Sequence, residues 1–481
     1  MKSLILFISL LNLVNCYINV EENRLKDEYG RERLFHGVNV VYKEKPWYPE
    51  LKVFNYQYSY CEEDMKLLKN WGFNAIRLGI MWPGVEPEFG EYDMKYIKTI
   101  EKIIDDSKKY NIYVILDFHQ DILARQFCGE GLPDWVFEHP LGFPLPLHLP
   151  YKKDNRGVPT REDCDTMNWI SYHFTYGVSH GFQLLYGKLS DKFINFWKLV
   201  ASSFENKTNI IGYEIINEPW AGNIFFYPFL LWPTNADYFN LQRFYDKVAD
   251  GIISVDKNHL ILFQSVTWSI FKTGFTHIPG KNNSKGVLSY HAYFPPNFST
   301  KYIFHARNKD MKRLKSGGIL TEFSVGSGNI SKKNEINDAL NLVKYADENI
   351  QSWFIWEYKK FVPITGSNYG FFFPNGSYTE AHKLFSRPYA QAVSGRIEIM
   401  KIDTKNKIFT LSFIPDYSIK EPTIIYINKV SYYKNGYNFI LEPKNINYEL
   451  TEKDNNYLNI YIKKNLNMEI VLIKITIEPK N

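Results

Sequence analysis

Two glutamates carry the plainest chemical signal in this chain. Glu218 closes the run Ile211-Gly-Tyr-Glu-Ile-Ile-Asn-Glu, and Glu322 closes Gly318-Ile-Leu-Thr-Glu. Both runs are short, mostly apolar and of strand character, the pattern of strands buried on both faces. A carboxylate at the end of such a strand is a poor core residue and a good catalyst. Two of them fit glycoside cleavage, in which one carboxyl protonates the leaving oxygen and the other attacks or stabilises the sugar. Further polar residues recur near strand ends: Arg77 in Asn74-Ala-Ile-Arg, His119 after Ile115-Leu-Asp-Phe, Asn217 before Glu218, His291 and Tyr293 in Leu288-Ser-Tyr-His-Ala-Tyr, and Trp356 in Trp353-Phe-Ile-Trp. A single buried Arg or His is more often structural, but chance does not readily bring five such strands to one mouth.

These residues need a scaffold that brings distant strand ends together. Strand-like runs at 35–41, 74–80, 112–119, 211–218, 260–266, 287–293, 318–324 and 352–358 alternate with amphipathic stretches at 62–71, 94–109, 192–205, 241–255 and 335–349. Eight β-then-α units imply an α/β fold, a (β/α)₈ TIM barrel, whose active sites form at the C-terminal ends of the strands. Glu218 and Glu322 fall at the fourth and seventh. Two connections are long: 121–183, with a Pro/Leu-rich run at 140–150, and the very apolar Ile224-Phe-Phe-Tyr-Pro-Phe-Leu-Leu-Trp-Pro. After about Ala392 helical periodicity stops, and short strand-like runs separated by turns such as Asn435-Gly436 indicate a C-terminal antiparallel β-sandwich. The expected division is a leader at 1–16, a barrel at 17–392 and a sandwich at 393–481.

The chain has 481 residues, enough for a large barrel plus a small module. Its net charge of +5 comes from mixed signs without a long basic run, which argues against a nucleic-acid partner. Aromatic residues reach 17%, consistent with a large core and with stacking platforms for sugar rings. Residues 1–16 have one Lys ahead of an apolar core and a small residue at the end, the form of a cleaved secretion signal and too short for a membrane span. Sequons at Asn206, Asn282, Asn297, Asn329 and Asn375 agree with a secreted glycoprotein. Cys128 and Cys164 lie in the long third connection and are the favoured disulfide, leaving Cys61 as a buried thiol. No Cys/His spacing resembles a zinc site, and no metal or cofactor is expected.

The ordered motifs resemble glycoside hydrolase family 5, and within it the endoglycoceramidases and related glycosylceramidases. They are His36-Gly-Val-Asn-Val-Val-Tyr-Lys, Met81-Trp-Pro-Gly-Val-Glu-Pro, Asp117-Phe-His-Gln-Asp, Asn217-Glu-Pro-Trp, Ser289-Tyr-His-Ala-Tyr, Thr321-Glu-Phe and Trp356-Glu-Tyr, spanning about residues 30 to 390. The resemblance implies a retaining mechanism with Glu218 as general acid/base and Glu322 as nucleophile. It implies that Arg77 keeps Glu322 ionised, that Asn217 bonds the sugar 2-hydroxyl, that His119, His291 and Tyr293 position sugar and glutamates, and that Trp356 is a flat platform. Lys43, Asp121 and Trp169 are further glycan contacts. The implied substrate is a glycosphingolipid cut between oligosaccharide and ceramide, with the apolar run after Glu218 either receiving the lipid or packing on the barrel. Contact with a membrane surface or micelle, and need of an activator protein or detergent, would follow from such a substrate. The alternatives are simple glycosylceramides, steryl glucosides or β-glucans as substrates, or a non-catalytic carbohydrate-binding protein.

Overall fold

A computed structural model describes residues 17–137, 152–155, 157–281, 283–293, 300–324, 333–361, 370–464 and 471–480. The expected leader, the run at 140–150 and the sequons Asn282, Asn297 and Asn329 lie outside the described residues. Asn206 and Asn375 are exposed.

Eight parallel strands close into a barrel: β1 His36–Val40, β2 Ala75–Gly79, β3 Tyr113–Asp117, β4 Ile210–Glu214, β5 Leu260–Gln264, β6 Gly286–Ala292, β7 Gly317–Phe323 and β8 Ser352–Ile355. Pairing runs in chain order and closes with β8 on β1, where Trp353 faces His36. The floor of the barrel is apolar. Ala75, Ile115, Ile211, Val287, Ile319 and Phe354 meet there, joined by Ile18 and Leu25 from the N-terminal segment. The helices follow their periodicity. Met94–Lys109 buries Ile97, Ile100, Ile103, Ile104 and Ser107, and the Asp93 side chain caps it by accepting from the Lys95 and Tyr96 N–H groups.

The sequence places strand four at 211–218 and strand three at 112–119, but the ladders end at Glu214 and Asp117. Glu218, His119 and Asp121 therefore stand on the loops above the barrel. The reason is geometric. In a closed barrel the strands splay at the rim, and backbone beyond the last shared rung turns to meet the loops. The long third connection holds helices Trp169–His173 and Tyr176–Tyr186.

The C-terminal part is the expected antiparallel β-sandwich, with one correction. Its four-stranded sheet runs 395–403, 408–415, 473–479, 437–442, and its seven-stranded sheet runs 19–21, 24–26, 32–33, 389–393, 423–426, 457–463, 447–453. The boundary at 392/393 thus does not divide the sheets. Residues 19–33 and 389–393 lie in the sandwich, and Arg33 pairs with Ala392. The N-terminal hairpin turns on Glu22 and Asn23 at φ 48° and 65°, the two left-handed residues of a hairpin turn of the I′ kind without its usual Asn-Gly signature.

Sandwich and barrel meet at helix α1, Glu62–Asn70. The last carbonyls of a helix have no intrahelical donors. Here two sandwich tyrosines supply them, Tyr457 Oη donating to the Lys69 carbonyl at 2.6 Å and Tyr426 to Asn70 at 2.9 Å, and a third, Tyr389, donates to Gly72 just beyond the helix at 2.7 Å. The combined variant Tyr389→Phe, Tyr426→Phe, Tyr457→Phe should lose about 1 kcal/mol per hydrogen bond, roughly 3 kcal/mol in all. Urea unfolding checks this, and an unmoved midpoint would remove the caps from the account of stability.

Candidate active site

A charged layer sits above the apolar floor. Arg77, inward on β2 and fully buried, is surrounded by acceptors: Nε lies 2.6 Å from Glu214, Nη2 lies 2.8 Å from Asn217 Oδ1 and 3.0 Å from Asp117, and Nη1 lies 2.9 Å from Asn39 Oδ1. Thr321 Oγ1 donates to the other Glu214 oxygen at 3.1 Å. Four strands and the β4 loop are therefore joined through one guanidinium, whose planar fork suits several oxygen partners at once. Glu322 stands at the edge of its reach, 3.9 Å from Nη1. Arg77 thus acts on Glu322 through its charge, while Glu214 on β4 and Asn217 on the β4 loop take its closest bonds.

From this layer the chain rises to Glu218, which has φ 42°. A left-handed residue other than glycine costs on the order of 1–3 kcal/mol and persists where its surroundings fix it. The surroundings here are two glutamines. Gln264 Oε1 accepts from the Glu218 N–H at 2.8 Å, and Gln120 Nε2 donates to the carbonyls of Asn217 at 2.7 Å and Glu218 at 3.2 Å. Asn217 returns a bond from Nδ2 to the Gln120 carbonyl at 3.1 Å.

The two glutamates share one imidazole. His291 Nδ1 lies 2.7 Å from Glu218 Oε1 and 2.8 Å from Glu322 Oε2, and an oxygen of each carboxylate and Nδ1 all fall within 4.8 Å of one another. Burial pushes the Glu218 carboxyl up, and Glu322 and Asp121 add to this against the opposing pull of His291. Burial also acts to raise Glu322, but His291, Arg77 and His119 outweigh it and hold Glu322 below the usual carboxylate range. Burial opposes the charge on His291, yet the two glutamates lift it to about 10. Environment thus separates a proton-holding carboxyl from an ionised one. Three such donor atoms have the spacing of a cation site, but a cationic imidazole offers no lone pair at Nδ1.

One wall of the mouth is polar. Lys43 is buried between Asp121, with which it pairs, and Glu130 at 3.0 Å, and its Nζ lies 5.0 Å from the centre of the Trp356 ring. His119 bonds Asp117 at 2.8 Å and stacks on Trp356 at 5.3 Å and 11°. Trp169 Nε1 donates to Asp121 at 3.2 Å. Trp356 is only 8% exposed, so the expected open platform is narrower than its ring area. A Cys128–Cys164 disulfide, Cα–Cα 5.4 Å, ties the Glu130 loop to the segment before Trp169. Cys61 is buried and free.

The other flank is apolar and open. Phe226 is 67% and Trp232 73% exposed, with Phe225, Phe229, Leu231 and Phe239 around them, while Ile224 and Leu230 turn into the core. Packing on the barrel thus accounts for two side chains of this run and not for its exposed aromatics. Tyr293 at the end of β6 is half-exposed, its ring 6.3 Å from that of His291.

All eleven expected site residues surround this one mouth. Sequence reasoning missed Glu130, Asn39, Asp117, Glu214, Gln120 and Gln264. Asp117 and Glu214 do carry a signal, a carboxylate inside an apolar strand. Glu130 carries none, since an isolated bridge to Asp121 brings it in.

Residues 28–361 match the model of the cellulase family, glycosyl hydrolase family 5, and 387–477 match the glycoside hydrolase family 5 C-terminal domain. An endoglycoceramidase of Hydra vulgaris is 43% identical over 452 residues, covering 92% of this chain and 85% of that protein. The chain belongs to the endoglycoceramidase branch of glycoside hydrolase family 5. An endoglycoceramidase of Cyanea nozakii is 38% identical over 449 residues, covering 89% and 87%. The solved structure of endo-glycoceramidase II from Rhodococcus sp. shares the fold, at TM-score 0.76 and 19% identity over 95% of this chain and 100% of that one. Like the rest of its family, the protein is a glycoside hydrolase. Among the described residues no helix is long and apolar enough to cross a membrane.

Arg77→Met leaves Asp117 and Glu214 buried without their cation, a loss of about 3–5 kcal/mol. The variant should melt earlier and lose activity at least tenfold even where it remains folded, measured below its own transition; wild-type turnover in the folded variant would separate this layer from catalysis.

Proposed function

We propose that this protein is a secreted, retaining endo-glycosidase that hydrolyses the β-glycosidic bond between oligosaccharide and ceramide in glycosphingolipids, with Glu322 as nucleophile and Glu218 as acid/base. The observation that carries the reading is the pair of glutamates on one imidazole. Their oxygens approach within 4.8 Å, whereas inverting pairs stand about 6.5–9.5 Å apart to admit a water. Glu322, held ionised, attacks the anomeric carbon and forms a glycosyl-enzyme bond. Glu218, held protonated, gives its proton to the departing ceramide oxygen. Glu218 then takes a proton from water, which cleaves the glycosyl-enzyme bond and frees Glu322. His291 Nδ1 sits against an oxygen of each glutamate and keeps the two in register. Asn217 retains an amide proton for the sugar 2-hydroxyl, His119 and Tyr293 line the sugar's path, and Lys43, Asp121, Trp169 and Trp356 receive the glycan.

The exposed aromatic loop after Glu218 supports a lipid leaving group, since contiguous exposed apolar surface marks a binding face. The same face would seat the enzyme against a membrane or micelle, with detergent or an activator protein aiding access to the bond. Relatives named endoglycoceramidase support the ceramide aglycone. The apolar N-terminal run, the exposed sequons Asn206 and Asn375 and the Cys128–Cys164 disulfide support secretion as a glycoprotein.

Protein recovered from culture medium, with its first residue near 17, should convert a ganglioside to intact oligosaccharide and ceramide. Glucose released from glucosylceramide with the ganglioside untouched would sink the endo reading, and appreciable turnover by Glu322→Gln would sink the nucleophile. The double variant Phe226→Ser, Trp232→Ser should raise KM for ganglioside in vesicles about tenfold or more, the scale of two lost apolar contacts, and leave a soluble aryl lactoside unaffected. Equal effects on both substrates would show that the loop does not serve the lipid.

A further inference from the structure

His291 faces the glutamates through one ring nitrogen only. Its other nitrogen, Nε2, is buried and has no hydrogen-bond partner among the described residues, and the same is true of Ser289 Oγ, two residues earlier on β6. Ser289 is 1% exposed, and the His291 side chain is 6% exposed. Both residues line one small cavity of about 20 Å³ behind the imidazole, together with Gln264 and Arg307. A cavity of that size is roomy enough for a water. Its lining is polar, as a bound water requires, and two orphaned polar atoms in one cavity are the usual mark of a structural water. Gln264 is the residue that clamps the Glu218 backbone, and Arg307 is anchored on the carbonyl of Ser269 at 3.1 Å and beside Asp310.

We propose that one water molecule binds between His291 Nε2 and Ser289 Oγ, and that Ser289, acting through this water, is a positioning residue for His291. The inference rests on the roles proposed above for the two glutamates. His291 lies between Glu218 from the β4 loop and Glu322 on β7, with Tyr293 at the end of its own strand and Arg307 from helix Thr300–Leu314 behind it. The two carboxylates hold the imidazole as a cation with Nδ1–H toward them. A cationic imidazole has a second N–H, at Nε2, which needs an acceptor. A water in the cavity accepts that bond and passes one of its own to Ser289, fixing the ring plane. A metal-bound histidine is oriented by the bond at its second nitrogen in the same way. Without the hydroxyl, the water loses a partner, the ring loosens, and the cation between the glutamates is weakened. Glu322 is then less well held ionised, and His291 loses its proton at lower pH.

Two measurements test this on the intact protein. Diffraction to about 1.2 Å should show density in the cavity within hydrogen-bond distance of both atoms. A dry cavity, or either atom bonded instead to protein, overturns the proposal whatever the catalytic roles prove to be. Ser289→Ala should lower kcat about three- to tenfold, the scale of one lost hydrogen bond, with KM within about twofold. The acidic limb of its kcat/KM profile, which reports the ionisation of Glu322, should move up by about half a pH unit or more. Ser289→Thr, which keeps the hydroxyl, should restore the limb. A Ser289→Ala profile that superimposes on the wild type overturns the positioning role. Failure of the catalytic reading itself registers separately, as turnover by Glu322→Gln.

Discussion

A guanidinium buried inside a barrel is costly to desolvate, and everything above it in this protein depends on how that charge is met. Arg77 is fully buried and bonded to side chains from β1, β3, β4 and the Asn217 loop. Taking such an ion from water costs several kcal/mol, and apolar side chains of similar volume would often serve stability as well. Its use is positional. A barrel strand can fix residues on its own ladder, but Asn217 and Glu218 stand beyond the ladder's end. Arg77 reaches up to hold Asn217 from below, while Gln120 and Gln264 hold the backbone from the sides. The strained φ of Glu218 is the outcome of these three grips.

On that support, the site makes two identical functional groups unlike. Both glutamates touch the same nitrogen of His291 at nearly the same distance, so the imidazole alone does not tell them apart. What differs is the rest of the surroundings. Glu322 has Arg77 and His119 as additional cations, and Glu218 has Asp121 as an additional anion. The asymmetry comes from the second ring of charges and from burial, with the shared histidine as the hinge between them.

The barrel, its strand order and the sandwich were legible in the sequence because period and composition report them directly. Eight apolar runs and a change of texture after Ala392 were enough. Glu218 and Glu322 stood out as candidate catalysts because a charged residue in an apolar run is conspicuous. What stayed hidden depended on distance. Glu130 lies in a loop of ordinary composition, and the backbone bridge to Asp121 is what brings it against Lys43. The N-terminal strands are two or three residues long and turn on Glu22-Asn23, so neither alternation nor turn signature marks them. The strand ends were overextended for a physical reason: the apolar pattern of 211–218 continues past the last ladder pair, since Ile215 and Ile216 are buried in the loop as fully as in a strand. Arg77 was read as a support for Glu322, but its closest partners, Glu214 and Asn217, did not show, because spacing along a chain carries no information on reach across a barrel.

The pairing of Arg33 with Ala392 places the whole catalytic barrel inside a single sheet. Seen from the ribosome, the chain makes the strands at residues 19–33 first and their sheet neighbour at 389–393 only after the whole barrel. At about 5–20 residues per second, roughly 20–70 s separate them. During that interval the hairpin can plug the barrel floor through Leu25 but cannot join its sheet, and its open edge needs protection from other chains. The sandwich is therefore less an attached module than a clasp, shut by the two ends of the barrel after the barrel is built.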